Sequence, residues 1–371
     1  MKKLSVILMT MLIIVTGCAS APGEDRPLPH NPISADTFCA DPTAVEYKGR
    51  LYVYGTNDHQ QFEATDKDAE NTYDKITSIV VMSTDDMINW RDEGVIDVKA
   101  IAPWITNSWA PSVISRKEKD GKTHFYMYFS NSGKGTGVLT STDPVGPWSD
   151  PLGKPLIRIG TKGLGNCPIP FDPGAVIDDE GNGWIAFGGG RAPGCTDLYP
   201  GSARIVKLGD DLLSFDSEFA EIPAPYFFEA SELNYINGTY VYTYCTDWRD
   251  RSPSDWAEAY GDMTMAGTAS MVYMTTKTPL DPDSWECKGE VFYNPGRAGF
   301  DWSNNHTHMH KFHDRWYMLY HTMVLKKSLG YKGGYRSICA DEIMVDEDTV
   351  TITPMGGTLN GVVRDSQICE S

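Results

Sequence analysis
The sequence predicts an all-β fold, a five-bladed β-propeller. Helical periodicity is nearly absent, and one unit recurs five times: an alternating strand, a Gly or Asp turn, an aromatic strand, then a further strand often closed by Trp. Strand–turn–strand–loop–strand at a steady period is the sequence form of a propeller blade. A β-sandwich is the competing architecture, but it does not account for the repeated order of hairpin and then Trp-ended strand.

The five hairpins are AVEYKGRLYVYGT, SVISRKEKDGKTHFYMYFS, AVIDDEGNGWIAFGG, ELNYINGTYVYTYC and HMHKFHDRWYMLYH. Their turn residues are Gly49, Gly121, Gly181, Gly238 and Asp314, spaced by 72, 60, 57 and 76 residues. A blade must bury both faces against its neighbours, which explains Tyr, Trp, Phe and Val in every unit. DDEGNG from Asp178 resembles the start of a calcium loop but lacks its alternating oxygens and distant Glu. It reads as the third hairpin turn.

Ahead of the repeats, Lys2 and Lys3 precede an apolar run from Leu4 to Val15 that ends in Thr16-Gly17-Cys18. A basic start, a short apolar core and small residues form an export signal, and the run is short for a membrane span. Gly-Cys resembles a bacterial lipobox, which makes Cys18 the expected lipidation site; a signal cut elsewhere is the alternative. Residues 1–17 read as the signal, 18–31 as a lipidated, Pro-rich tether and 32–371 as one propeller domain. The expected setting is the bacterial cell envelope, periplasmic or outward-facing, with membrane contact by the anchor alone and a monomeric domain.

The formal net charge of −18 disfavours phosphate backbones, so nucleic acid is excluded as a partner class. No P-loop or dinucleotide-binding glycine pattern occurs. Setting Cys18 aside, the seven remaining cysteines show no CxxC spacing, which argues against zinc ribbons and iron–sulfur sites. An exported chain can form disulfides, and Cys167 and Cys195 are the expected bridge.

In a propeller the innermost strands converge on the axis, so residues at their starts can meet across the sequence. Asp41 opens the first hairpin in FCADPTAV, Asp172 the third in PFDPGAV, and Glu229 the fourth in FFEASEL. Each alone reads as a turn or capping acid. Together, at like places before apolar strands, they read as a carboxylate set. Glu229 and Glu232 are three apart, so in a regular strand they point to opposite faces. Glu232 is then a solvent or inter-blade carboxylate.

These segments, in order and one per blade, resemble glycoside hydrolase family 43 along nearly all of residues 32–371. ADPTAVEYKGRLYVYGTND, NSWAPSV, FDPGAVIDDEGNGWIAFGGG, FFEASELNYINGTYVYTY, NNHTHMHKFHDRWYMLYH and GYRSI carry the resemblance. It implies a five-bladed propeller that cleaves α-L-arabinofuranosidic or β-D-xylosidic linkages of plant oligosaccharides or polysaccharides with inversion. It further implies Asp41 as general base, Asp172 as the carboxylate that tunes and orients the acid, and Glu229 as general acid. Trp109 resembles a sugar-contacting wall and Arg336 a hydroxyl-binding arginine. His306 resembles the histidine that faces an axial cation, usually Ca²⁺; no organic cofactor is implied. Glu-Ala-Ser stands where many members have Glu-Gly-Pro, which leaves the acid in place and the sugar open.

An inverting glycosidase needs one carboxylate to activate water and one protonated acid for the leaving oxygen. A third carboxylate raises the acid's pKa by like-charge repulsion. His306, His308 and His310 share a strand face, which also fits zinc. A glycan-binding propeller lipoprotein without catalysis is the alternative reading. A retaining fructosidase is disfavoured, because FCADP and FFEAS differ from that group's Trp-Met-Asn-Asp-Pro and Glu-Cys.

Overall fold
A computed structural model describes residues 29–364. Cys18, the export signal and most of the expected tether lie outside the described residues. Among those residues the strands form five blades arranged as a propeller. Four are four-stranded antiparallel meanders, running from Ala40 to Ile96, Trp109 to Arg158, Gly174 to Glu221 and Phe227 to Phe292. The fifth has three strands, Thr307–Phe312, Arg315–Thr322 and Ser337–Ile343.

Every predicted hairpin turn is present, with φ between 63° and 83° at Gly49, Gly121, Gly181, Gly238 and Asp314. At the third, the Asp178 carboxylate accepts hydrogen bonds from its own turn, from Trp184 Nε1 and from Tyr240 Oη. That carboxylate is structural.

The first strands of successive blades lie side by side, and the fifth blade closes onto the first. Apolar clusters fill each blade-to-blade seam. Tyr54, Phe125, Met127 and Phe129 pack between blades 1 and 2, and Met309, Met318 and Tyr320 pack against Val241 and Met271 between blades 4 and 5. At roughly 25 cal/mol per Å² of apolar surface buried, these seams supply the main cohesion of the ring.

The ring is also clasped by its own beginning. The Ile33 amide donates to Ile338 O at 2.9 Å, and the Ala340 amide donates to Asn31 Oδ1 at 2.8 Å. Residues 30–33 thereby cover the fifth blade, which has one strand fewer than the others. Asn31 Nδ2 also reaches Asp341 and Thr358, so the side chain spans two later segments.

The expected Cys167–Cys195 bridge is absent, and all six described cysteines are free thiols. Cys167 is buried in the apolar seam between blades 2 and 3, where burial pushes its thiol up to about 11. Cys195 packs instead against Gly201. Among the described residues four short α-helices occur, all in loops between strands, consistent with the lack of helical periodicity.

Candidate active site
At the axis, one cleft of ≈ 330 Å³ brings together Asp41, Trp109, Asp172, Glu229, His306 and Arg336. These are the six site residues expected from the sequence within the described region. The backbone explains how they converge. Asp41, Ala110, Asp172 and Ala230 all hold left-handed angles, φ 41° to 61°, at or near the starts of the innermost strands. Such angles cost a non-glycine residue roughly 1–2 kcal/mol each. Strand register shifts there in blades 1, 2 and 4, so each strand bulges at the axis.

A side chain takes the amide of each left-handed residue. The Asp41 amide donates to His321 Nδ1, Ala110 to Thr56 Oγ1, and Asp172 to Ser130 Oγ, each from the second strand of the preceding blade. The fourth case differs. Gly188 follows the second strand of blade 3, at φ 143°, where a Cβ would lie 2.4 Å from Ser202 O. No side chain fits there, and the Ala230 amide donates to Asp172 Oδ2 at 3.1 Å. Asp172 is thus bonded to the backbone of the residue after Glu229.

Asp41 is buried, with Arg336 Nη1 donating to Oδ1 at 2.8 Å and Thr56 Oγ1 to Oδ2 at 2.7 Å. Burial alone would raise its pKa; the Arg336 cation reverses this and holds the carboxyl well below the usual range. His321 Nδ1 lies 3.3 Å from Asp41 Oδ1, but it accepts the Asp41 amide, and its Nε2 pairs with Asn304 O at 2.9 Å. His321 therefore carries its proton on Nε2 and forms no ion pair with Asp41.

Arg336 is fixed from its other edge. Its Nε and Nη2 donate to Asp58 at 2.9 and 2.8 Å, its backbone N–H reaches the same carboxylate, and its guanidinium lies over the Tyr73 ring at 4.9 Å. Asp58 is fully buried and also accepts from Asn71 Nδ2. Sequence reasoning missed Asp58, Tyr73, Thr56 and His321. Thr56 and Asp58 stand in GTND at the end of the first hairpin and His321 closes the fifth, so position was their signal; Tyr73 had none.

Glu229 and Asp172 behave oppositely to Asp41. Burial, and then the charges of Asp172 and Asp41, push the Glu229 carboxyl well up. Burial and the Asp41 charge also raise Asp172, against hydrogen bonds from Ala230 and Ser130. Desolvation therefore leads the shift at Glu229, and like-charge repulsion from Asp172 comes second. Part of the Glu229 surface remains open, and the residue lines the cleft. Asn304 contacts the Glu229 carboxyl and accepts from Trp248 Nε1.

Of the two readings for Glu232, the inter-blade one holds. One register shift and the left-handed Ala230 interrupt the regular alternation between Glu229 and Glu232. Glu232 is only 1% exposed, and its Oε1 stands 3.0 Å from His308 Nδ1 of blade 5, without hydrogen-bond alignment. It is an inter-blade carboxylate and not a solvent one.

His306 lies with Nδ1 3.7 Å from Asp41 Oδ1, and burial lowers its pKa to about 4. His308 Nε2 faces His310 Nδ1 at 3.3 Å. Among the described residues no group of three or more His, Cys, Asp or Glu is arranged to hold a metal. Trp109 Nε1 donates to Tyr73 O, and the two rings meet edge to face at the cleft wall. Two further indoles stand at the rim, Trp248 45% and Trp302 53% exposed.

A propeller whose axial cleft pairs a carboxyl with its pKa held down and a carboxyl with its pKa pushed up is equipped for general acid–base chemistry. The chain belongs to the glycosyl hydrolases family 43, whose model matches residues 29–350. Arabinoxylan arabinofuranohydrolase of Bacillus subtilis (strain 168) is 34% identical over 91% of this chain and 66% of its own length. The enzyme of that name from Paenibacillus polymyxa is 32% identical over 98% of this chain and 57% of its own. The chain thus spans under two thirds of these relatives. The solved family 43 arabinoxylan arabinofuranohydrolase from Bacillus subtilis, in complex with cellotetraose, superposes with a TM-score of 0.80 over 90% of this chain and 69% of that one, at 34% identity. An α-L-arabinofuranosidase structure from Clostridium thermocellum gives 0.65 over 88% and 96%, at 30% identity. The alternative of a binding-only propeller finds no support among these hydrolases.

Proposed function
We propose that this protein hydrolyses α-L-arabinofuranosidic linkages in plant polysaccharides or their oligosaccharides with inversion, β-D-xylosidic linkages being the nearest alternative. The observation that carries the reading is two oppositely shifted carboxyl groups in one cleft: Asp41 bonded to the Arg336 guanidinium, which holds its pKa down, and Glu229, whose pKa burial and the neighbouring carboxylates push up. Asp41 is the general base that takes a proton from water. Glu229 is the general acid that gives its proton to the leaving oxygen. Burial does most to raise the Glu229 pKa; Asp172 adds to it by its charge and holds the adjoining backbone through the Ala230 amide.

Arg336 binds the Asp41 carboxylate and presents its remaining N–H groups to sugar hydroxyls. Trp109, Trp248 and Trp302 offer apolar faces for pyranose or furanose rings, and the two exposed indoles suit a chain-like leaving group at the mouth. The relatives' names favour arabinoxylan as the polymer. Incubation with aryl α-L-arabinofuranoside, aryl β-D-xyloside, arabinoxylan and debranched arabinan tests this. Arabinose released from arabinoxylan, first seen as the inverted anomer by NMR, is the expected result. Release of xylose alone selects the alternative, and no release from any substrate overturns hydrolysis.

We further propose a calcium ion beside His306: the imidazole and Asn305 both line the cleft, and Asn305 Oδ1 is a buried oxygen with no hydrogen-bond partner, the kind of ligand a hard cation takes. A bound ion there would supply positive charge at the axis. Chelation is expected to lower Tm, with calcium restoring it; restoration by zinc alone identifies the histidines as the ligands. The domain works as a monomer tethered to the cell envelope through lipidated Cys18. Cys18→Ser is expected to move it from membrane to soluble fractions or leave an uncut precursor, and full membrane retention of a cut protein argues against lipidation.

A further inference from the structure
Both oxygens of the Asp41 carboxylate have donors, and the two donors come from different parts of the ring. Oδ1 takes Arg336 Nη1 from blade 5. Oδ2 takes Thr56 Oγ1 from the last residue of the second strand of blade 1, Arg50–Thr56. A hydroxyl has one proton and two lone pairs. The Ala110 amide already donates to Thr56 Oγ1 at 2.7 Å, so that oxygen is an acceptor there and its single proton goes to Asp41.

Rotation of Thr56 is closed off in three ways. The side chain is fully buried, its backbone is paired with Ala40 on one side and Ile79 on the other, and a β-branched residue has restricted χ1. We propose that Thr56 is a positioning residue for the general base, fixing the plane of the Asp41 carboxylate by relaying the Ala110 amide of the second blade onto Oδ2.

The inference rests on Asp41 being the base, as proposed above. It does not touch substrate chemistry directly, because Thr56 does not line the cleft. Ser130, at the matching place one blade on, accepts the Asp172 amide at 2.7 Å and donates to Oδ1 of the same residue at 3.2 Å; it relays no other residue's amide, but a hydroxyl at the end of a second strand again serves a cleft carboxylate. Without Thr56, Asp41 keeps the Arg336 contact and gains a free torsion. The attacking water is then aimed from a spread of positions, and misplacement by about 1 Å can cost on the order of 100-fold in rate.

Steady-state kinetics on an aryl α-L-arabinofuranoside, or on the aryl β-D-xyloside if that is the substrate cleaved, test the inference. Thr56→Val keeps shape and removes the relay. It is expected to lower kcat about 10- to 100-fold while KM changes less than about threefold. Thr56→Ser keeps the hydroxyl and is expected to recover kcat to within about threefold of the parent. Thr56→Cys, with similar volume and a weak donor, should fall between them and supplies the comparison if Thr56→Val does not fold, as judged by circular dichroism. A parent-like kcat in Thr56→Val or Thr56→Cys overturns the inference. So does a loss carried by KM, or failure of Thr56→Ser to recover. Asp41→Ala runs alongside: if it keeps turnover, the base assignment falls and this inference with it. If Asp41→Ala is inactive while Thr56→Val is parent-like, only the inference falls.

Discussion

Asp41 and Asp172 each precede a proline, each hold a left-handed backbone, φ 50° and 48°, and each have their amide taken by a side chain of the preceding blade. Each also accepts a hydroxyl from the end of a second strand. Yet one carboxyl is held well below its usual pKa and the other is raised. Local construction therefore does not set the charge. Arg336 bonds directly to Asp41 and acts on Asp172 only at longer range, so at the second site burial and the Asp41 charge outweigh the hydrogen bonds from Ala230 and Ser130. One fold device places the acids, and one cation divides their roles.

The largest break in this comparison comes from removing the ionised member. Asp41→Ala is expected to lower turnover about 10²- to 10⁴-fold on glycan and aryl glycoside alike, since no leaving group replaces an activated water. Glu229→Ala should show a similar loss on natural glycan but keep measurable activity on an aryl glycoside with an acidic phenol. Equal loss on both substrates would remove Glu229 from the acid's role.

Arg336→Met strips the dividing cation and leaves Asp58 and Asp41 buried without it. A stability loss of about 3–5 kcal/mol is expected, read as a lower midpoint in urea. A midpoint close to the parent's would show that these carboxylates find other partners.

A smaller effect sharpens the comparison from the other side. Glu229 must be protonated to act, so activity falls as pH rises through its pKa. Asp172→Asn removes one of the charges that raise that pKa, and the basic limb of the kcat profile should move to lower pH. An unmoved limb would mean that burial and the Asp41 charge hold the proton without Asp172. Ser130→Ala is the mildest change. It leaves the Asp172 amide without its acceptor at a cost of about 1–3 kcal/mol in stability, with turnover reduced less than in Asp172→Asn.

The blades were legible because each hairpin carries its turn residue and aromatic strand in one continuous stretch. The acids were legible for the same reason, as Asp-Pro and Phe-Phe-Glu just ahead of apolar runs. Thr56, Asp58 and His321 were not. A threonine at a strand end or an aspartate in a loop looks ordinary, and these matter only through contacts with residues 15 to about 280 positions away. The inter-blade place of Glu232 was one of its two readings, but the irregularity between Glu229 and Glu232, which interrupts the two-residue alternation, left no mark in the sequence. The free Cys167 and Cys195 show that proximity along the chain is no guide to pairing when one thiol turns into an apolar seam.

The clasp of residues 30–33 over the fifth blade bears on how the ring comes apart. A hoop fastened by its own free end opens at the buckle. Tension applied ahead of residue 29 falls first on Asn31 and Ile33, whose bonds to Ala340 and Ile338 join the start of the fold to its last blade. Once those bonds part, blade 5 has an unpaired edge, and Tyr320 and Asp341 lose their Asn31 contacts. Mechanical rupture would therefore run inward from the seam, reaching the strand of blade 5 that carries His321 before it reaches blades 2 and 3. The rate at which the buckle slips, more than the depth of any one apolar seam, would set how long the ring survives a pull.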